Sequence, residues 1–178
     1  MSISNSGILP LQPIRMLDGH DMMHPKLLMR WPLTETQNAA TTTVLGDWYA
    51  NILFVRPQIV LFINERSLLG VPVLAAPIKD LYPRFVQQMA YLLSDIDVPV
   101  KKIIAEIAQM QEAQVAPTKS RAMLASLNDM RWNVELGINN KDFSALDKLM
   151  LGLAQITCKA NGYRYSGEVA LELFGNKH

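Results

Sequence analysis

The sequence predicts an α+β domain, a small antiparallel sheet of three to four strands covered by about four to five helices, and two observations carry that prediction. Val44 to Leu74 reads as three consecutive strands with apolar residues on both faces. They are separated by the short polar breaks Arg56-Pro57-Gln58 and Asn64-Glu65-Arg66-Ser67, which suit connections between antiparallel neighbours. From Ile78 onward the apolar spacing lengthens to threes and fours, the mark of amphipathic helices, and a sheet that is apolar on both sides needs such cover on both sides.

Taken in order, residues 1–24 form a lead punctuated by Ser, Asn, Pro and Gly, expected to be extended or in part disordered, and residues 25–178 form one α+β domain. Lys26 to Trp31 is a candidate first strand stopped by Pro32, and Thr34 to Thr43 is polar enough for a short helix or a loop. Pro72 falls inside the third strand of the 44–74 region and places that strand at an edge. A helix over 80–94 carries the stripe Leu81, Phe85, Met89 and Leu92, continuing Ile78, with Asp80 as its N-cap. The next helix is expected to have Asp97 as cap and Pro99 in its first turn, with Val100, Ile103, Ile104, Ile107 and Met110 facing inward and Lys102 paired with Glu106 on the wet side, until Pro117 ends it. Thr118 is the cap expected for a third helix with Met123, Leu127, Met130 and Val134 inward and Gly137 as its stop; Asp142 caps a fourth with Leu146, Leu149, Met150, Leu153 and Ile156 inward. Ser166 is the candidate cap of a short last helix bearing Val169, Ala170, Leu173 and Phe174.

Composition excludes several classes. At 178 residues the chain is long enough to bury a core without disulfides or metals, and with 49% hydrophobic and 19% charged residues it has the make-up of a soluble globular protein. A net charge of +1, with Lys and Arg scattered, leaves no global footprint for nucleic acid or anionic membrane, so either partner would need a local patch. The apolar run from Leu68 to Ile78, broken by Pro72 and Pro77, is too short to span a bilayer, and no charged region followed by an apolar one opens the sequence as a secretory signal would. A single cysteine, Cys158, forbids an internal disulfide and fits a reducing cytoplasm.

Chemistry-bearing residues are few. His20 and His24 flank Asp21, but Pro25 disfavours helix at His24 and further ligands are missing, so a solvated arm is the plainer reading and neither a metal nor a cofactor is predicted. Cys158 has no nearby His, so an ordinary half-buried cysteine is the plainer reading than a catalytic thiolate, and the ten methionines lie mostly at stripe positions and read as core. Three polar clusters interrupt apolar surroundings: Asp47, Trp48 and Asn51 in the first of the three strands; Asn64, Glu65, Arg66 and Ser67 at the next connection; and Ser126, Asn128, Asp129 and Arg131 on the third helix. Strands disfavour Asp and Asn without a partner, so Asp47 and Asn51 either cap a turn or line a site. For Asn64 to Ser67 a polar hairpin tip is the plainer account. Asn128, flanking the stripe, is expected to be interior and hydrogen-bonded, with Asp129 solvated.

The blocks LGDWYAN (45–51), VLFINERSLL (60–69) and ASLNDM (125–130) resemble the shared pattern of a family of small bacterial, archaeal and phage-associated proteins of unknown function. The resemblance covers roughly residues 26–136, implies no activity, and singles out Trp48, Asn51, Asn64, Glu65, Asn128 and Asp129. Two functions compete. One is a non-enzymatic binding or regulatory module with a protein or nucleic-acid partner in a bacterial accessory or mobile-element system, favoured because no nucleophile, base or metal set has recognisable spacing. The other is a hydrolase or nucleic-acid-processing enzyme that gathers Asp47, Glu65 and Asp129 on a divalent metal, with Arg66 holding a phosphate and a cleft walled by Trp48 and Trp132.

Overall fold

The computed structural model describes residues 12–16, 42–53, 55–110, 113–117, 121–138 and 146–175. The sequence's three central strands are present as β2 (Trp48–Leu53), β3 (Ile59–Asn64) and β4 (Gly70–Leu74), consecutive and antiparallel. Two further strands, β1 (Gln12–Met16) and β5 (Ala113–Pro117), extend the sheet in parallel to give the order β4-β3-β2-β1-β5. Beyond the antiparallel trio, then, the sheet is mixed. β1 lies in the stretch read as a lead, and β5 lies where a helix was expected to run on toward Pro117. Pro72 does sit in the edge strand β4.

Five α-helices are described: α1 (Leu81–Asp95), α2 (Val100–Gln109), α3 (Arg121–Ile138), α4 (Leu146–Ala154) and α5 (Ser166–Leu173). The residues of β2 and β3 alternate between two cores, as pleating requires. Trp48, Ala50, Ile52, Val60 and Phe62 face a layer built from α1, α2 and α5. There Phe85 stacks on Phe62 at 4.1 Å and meets Trp48 edge-on at 5.0 Å. Tyr49, Leu53, Ile59, Leu61 and Ile63 face the opposite layer, where α3 supplies Met123, Met130, Val134 and Ile138. Helix α4 joins both, with Met150 and Ala154 in the first core and Leu153 in the second. A β-carbon at Gly70 would lie 3.0 Å from the Met130 sulfur and 3.4 Å from Leu153 Cδ1, so glycine there lets α3 and α4 close on the edge strand. A two-residue ribbon, β6 (Thr157–Cys158) with β7 (Arg164–Tyr165), links α4 to α5.

Helix ends depart from the expected caps. Asp80 occupies the N-cap of α1 but its side chain makes no capping bond; the Arg84 guanidinium holds that turn by donating to the carbonyls of Ala76, Pro77 and Asp80. Asp97 does not start α2, whose N-cap is Pro99. It ends α1: with φ +64° its N–H bonds Ser94 O while the Val98 N–H bonds Leu93 O, the paired bonds of a Schellman closure, and Val98 and Leu93 share one core. Ser166 is the first residue of α5, behind N-cap Tyr165, and its hydroxyl faces the Leu153 and Ala154 carbonyls, tying α5 to the end of α4.

The stripe of α2 is rotated from expectation. Ile103 and Met110 are buried, but Val100 and Ile104 are 65% and 62% exposed, and Glu106 is the buried charged residue. Lys102 does not pair with Glu106; its ammonium donates to Phe174 O at the end of α5. The rotation follows from what Glu106 binds, described next. The expectations for His20, His24, Lys26–Trp31, Thr118 and Asp142, and for the side chains of Leu127 and Cys158, lie outside the described residues. No helix of the described residues is long and apolar enough to cross a membrane.

Candidate functional site

At one end of the sheet β2 enters from the loop 43–47 and β3 leaves into the turn 65–68, and the register sets Trp48 opposite Asn64. Asn64 O accepts from Leu68 N and Asn64 N donates to Leu69 O, both at 3.0 Å, which closes a hairpin turn in which Leu68 takes φ +59°. A non-glycine residue accepts that conformation at a cost, and here the Leu68 side chain is buried against the α3 core.

Asn64, 0% exposed, is the hub of this end. Its Nδ2 donates to the carbonyls of Leu45 (2.8 Å) and Asp47 (3.2 Å). Its Oδ1 accepts from Arg66 N (3.1 Å), Ser67 N (2.9 Å) and the Ser67 hydroxyl (2.9 Å). One side chain thus serves main-chain groups on both loops. Ser67 Oγ in turn accepts from Leu69 N, and Ser67 O accepts from Asn161 Nδ2 at 2.6 Å. The Arg66 guanidinium crosses over Gly46, φ +75°, and donates to Val44 O at 2.8 Å.

Glu106 completes the arrangement from α2. At 1% exposure its two carboxylate oxygens accept from Val44 N (2.8 Å) and Leu45 N (2.9 Å), so the helix turns this face inward to pair loop donors that no strand reaches. Burial pushes its pKa above the ordinary value of 4.5, while the Leu45 and Val44 N–H groups and the Arg66 charge pull it back. Thr43 Oγ1 accepts from Gly46 N at 3.1 Å within the same loop. Sequence reading missed Glu106. Its signal was positional: it stands three residues after Ile103 and four before Met110, on the face they share.

The other candidates separate. Asp47 is buried, and its carbonyl accepts from Glu65 N. Glu65 is exposed and accepts from the Tyr49 hydroxyl at 3.2 Å. Trp48 is buried beside Phe85, its indole nitrogen without a hydrogen-bond partner among the described residues. Asn51 is buried farther along β2, opposite Leu61. Asn128 was expected inside and is exposed, as is Asp129; the buried polar side chain of α3 is Ser126, four residues before Met130 on the inward line. Trp132 is 64% exposed and Leu136 50%, so Trp132 and the buried Trp48 wall no common cleft. Among the described residues no three His, Cys, Asp or Glu side chains are grouped so that they could hold a metal ion, so Asp47, Glu65 and Asp129 do not form a shared metal site.

A family model described as a domain of unknown function, DUF6933, matches residues 25–169. No curated protein and no solved structure matches the chain.

Proposed function

The chain belongs to the DUF6933 family of domains of unknown function, and from that premise we propose that it is a non-enzymatic binding or regulatory module that docks a protein partner on the solvent side of α3. The observation that carries this reading is the exposed pair Trp132 and Leu136, one helical turn apart, beside the exposed polar residues Asn128 and Asp129. Exposed tryptophan is a recurrent anchor of protein interfaces. Arg131 and Glu135 flank the pair and neutralise each other at 2.7 Å, which leaves an apolar face and not the basic one that phosphates require. At the sheet end, by contrast, Asn64, Ser67, Arg66 and Glu106 are spent on main-chain groups, which speaks for scaffold there. The bacterial accessory or mobile-element setting is the part of the proposal that rests on sequence resemblance alone.

The test is recognition by a defined pair. A protein captured by the full chain, identified and rebound in purified form, is expected to lose at least about tenfold in affinity to Trp132→Ala, equivalent to about 1.4 kcal/mol. Equal affinity for Trp132→Ala, self-association through this face, or binding to nucleic acid alone would overturn the proposal.

A further inference from the structure

A concavity of about 430 Å³ lies between the end of α1, the end of α4 and the start of α5. Its floor is apolar, formed by Ile96, Leu151, Ala154 and Leu171. Its rim carries three carboxylates, Asp95, Asp97 and Glu168, and one half-exposed aromatic ring, Tyr165; among the described residues no lysine or arginine lines it. We propose that this is a binding site for an alkylammonium group, a small organic cation whose charged end meets the rim and whose hydrocarbon stem lies on the floor.

Several features point to that chemistry. The volume falls within the range of small-ligand pockets, which join apolar walls to a few polar groups. Asp95 ends the last turn of α1 and Asp97 follows it, where the negative end of the helix dipole disfavours a carboxylate and a basic residue is the usual choice; α1 has none in its last turn. The end of α4, at Ala154 and Gln155, brings a second negative helix terminus to the same rim. Glu168 also serves the first turn of α5, and Asp97 closes α1 through its main chain. Arg164, which feels the Glu168 charge, is already held by Glu172 at 2.5 Å and leaves the rim to an outside cation. Tyr165 supplies a ring against which an ammonium group is favourable.

The experiment titrates the full chain with 1,5-diaminopentane and, separately, with lysine blocked at both backbone ends, following amide chemical shifts at low ionic strength. Saturable shifts at residues 95–97, 154–155 and 165–168 are expected for at least one of the two. The tighter ligand tells a free amine from a basic side chain. Hexanoate should give none. Asp95→Asn combined with Glu168→Gln should weaken binding at least tenfold while the protein stays folded, since both side chains are exposed. Trp132→Ala should bind the amine as the parent does, which keeps this site separate from the α3 proposal. No saturable response up to about 10 mM of either amine, an equal response to hexanoate, or unchanged affinity in the double variant overturns the proposal.

Discussion

The end of the sheet and the outer side of α3 carry the same kinds of residue and use them in opposite ways. Around Asn64 the polar side chains turn inward and bind the main chain: Asn64 serves Leu45, Asp47, Arg66 and Ser67, and Glu106 serves Val44 and Leu45. On α3, Asn128, Asp129 and Trp132 turn outward into solvent. Both regions lie within the residues 25–169 that the family model matches, and the same residue type is architecture in one place and surface in the other. Burial and the identity of the hydrogen-bond partner separate the two, and residue type does not.

That contrast breaks most readily at Asn64. Asn64→Ala strips partners from several buried main-chain groups at once and should cost about 3 kcal/mol or more in urea unfolding, whereas Asn128→Ala should stay within about 0.5 kcal/mol. Comparable losses at the two positions would erase the distinction. Glu106→Ala should cost about 2–3 kcal/mol by leaving the Val44 and Leu45 N–H groups buried without acceptors.

Glu106 also gives the contrast a pH dependence. Its folded-state pKa lies above 4.5, so the folded chain holds the proton more tightly than the unfolded chain does. Its contribution to stability is therefore greatest below that ordinary value and is lost as pH rises through the raised one. Unfolding free energies of the parent and of Glu106→Gln, compared from neutral pH down toward 4.5, should show the parent gaining relative to the variant as pH falls. A relative loss on acidification would reverse the assigned cause.

Smaller effects sharpen the picture. At Leu68 strain and packing oppose each other, so Leu68→Gly relieves φ +59° while losing a buried side chain and should cost about 1–2 kcal/mol. Leu68→Ala keeps the strain and loses the packing, and should cost more than glycine does. Trp132→Ala should leave stability within about 0.5 kcal/mol, and any large destabilisation would place that ring in the scaffold.

The chain's own pattern reveals the parts of this fold that rest on local repetition. β2, β3 and β4 announce themselves because both faces are apolar and the breaks between them are short, and the stripe of α1 is regular enough that Leu81, Phe85, Met89 and Leu92 all reach the core. The turn at Asn64 to Ser67 is legible from turn chemistry. What hid were features whose cause lies far away in sequence. β1 and β5 pair with each other across about a hundred residues and are each only five residues long. The rotation of α2 depends on two N–H groups sixty residues upstream of Glu106, which outweigh the burial of Val100 and Ile104. Asp97 looked like the start of one helix because the side chain suits an N-cap, yet it tolerates the left-handed conformation and closes the helix before it. Asn128 points away from the inward line that Met123, Ser126, Met130 and Val134 define, as the helical repeat dictates.

One strand carries a practical lesson about where this domain starts. The family pattern opens at residue 25, yet β1 at Gln12–Met16 is wedged in the sheet's interior, bonded to β2 on one flank and β5 on the other. Trimming the gene to the matched span would take away the partner of β5 and leave β2 as an open edge, inviting intermolecular pairing. Expression work should keep those first sixteen amino acids attached.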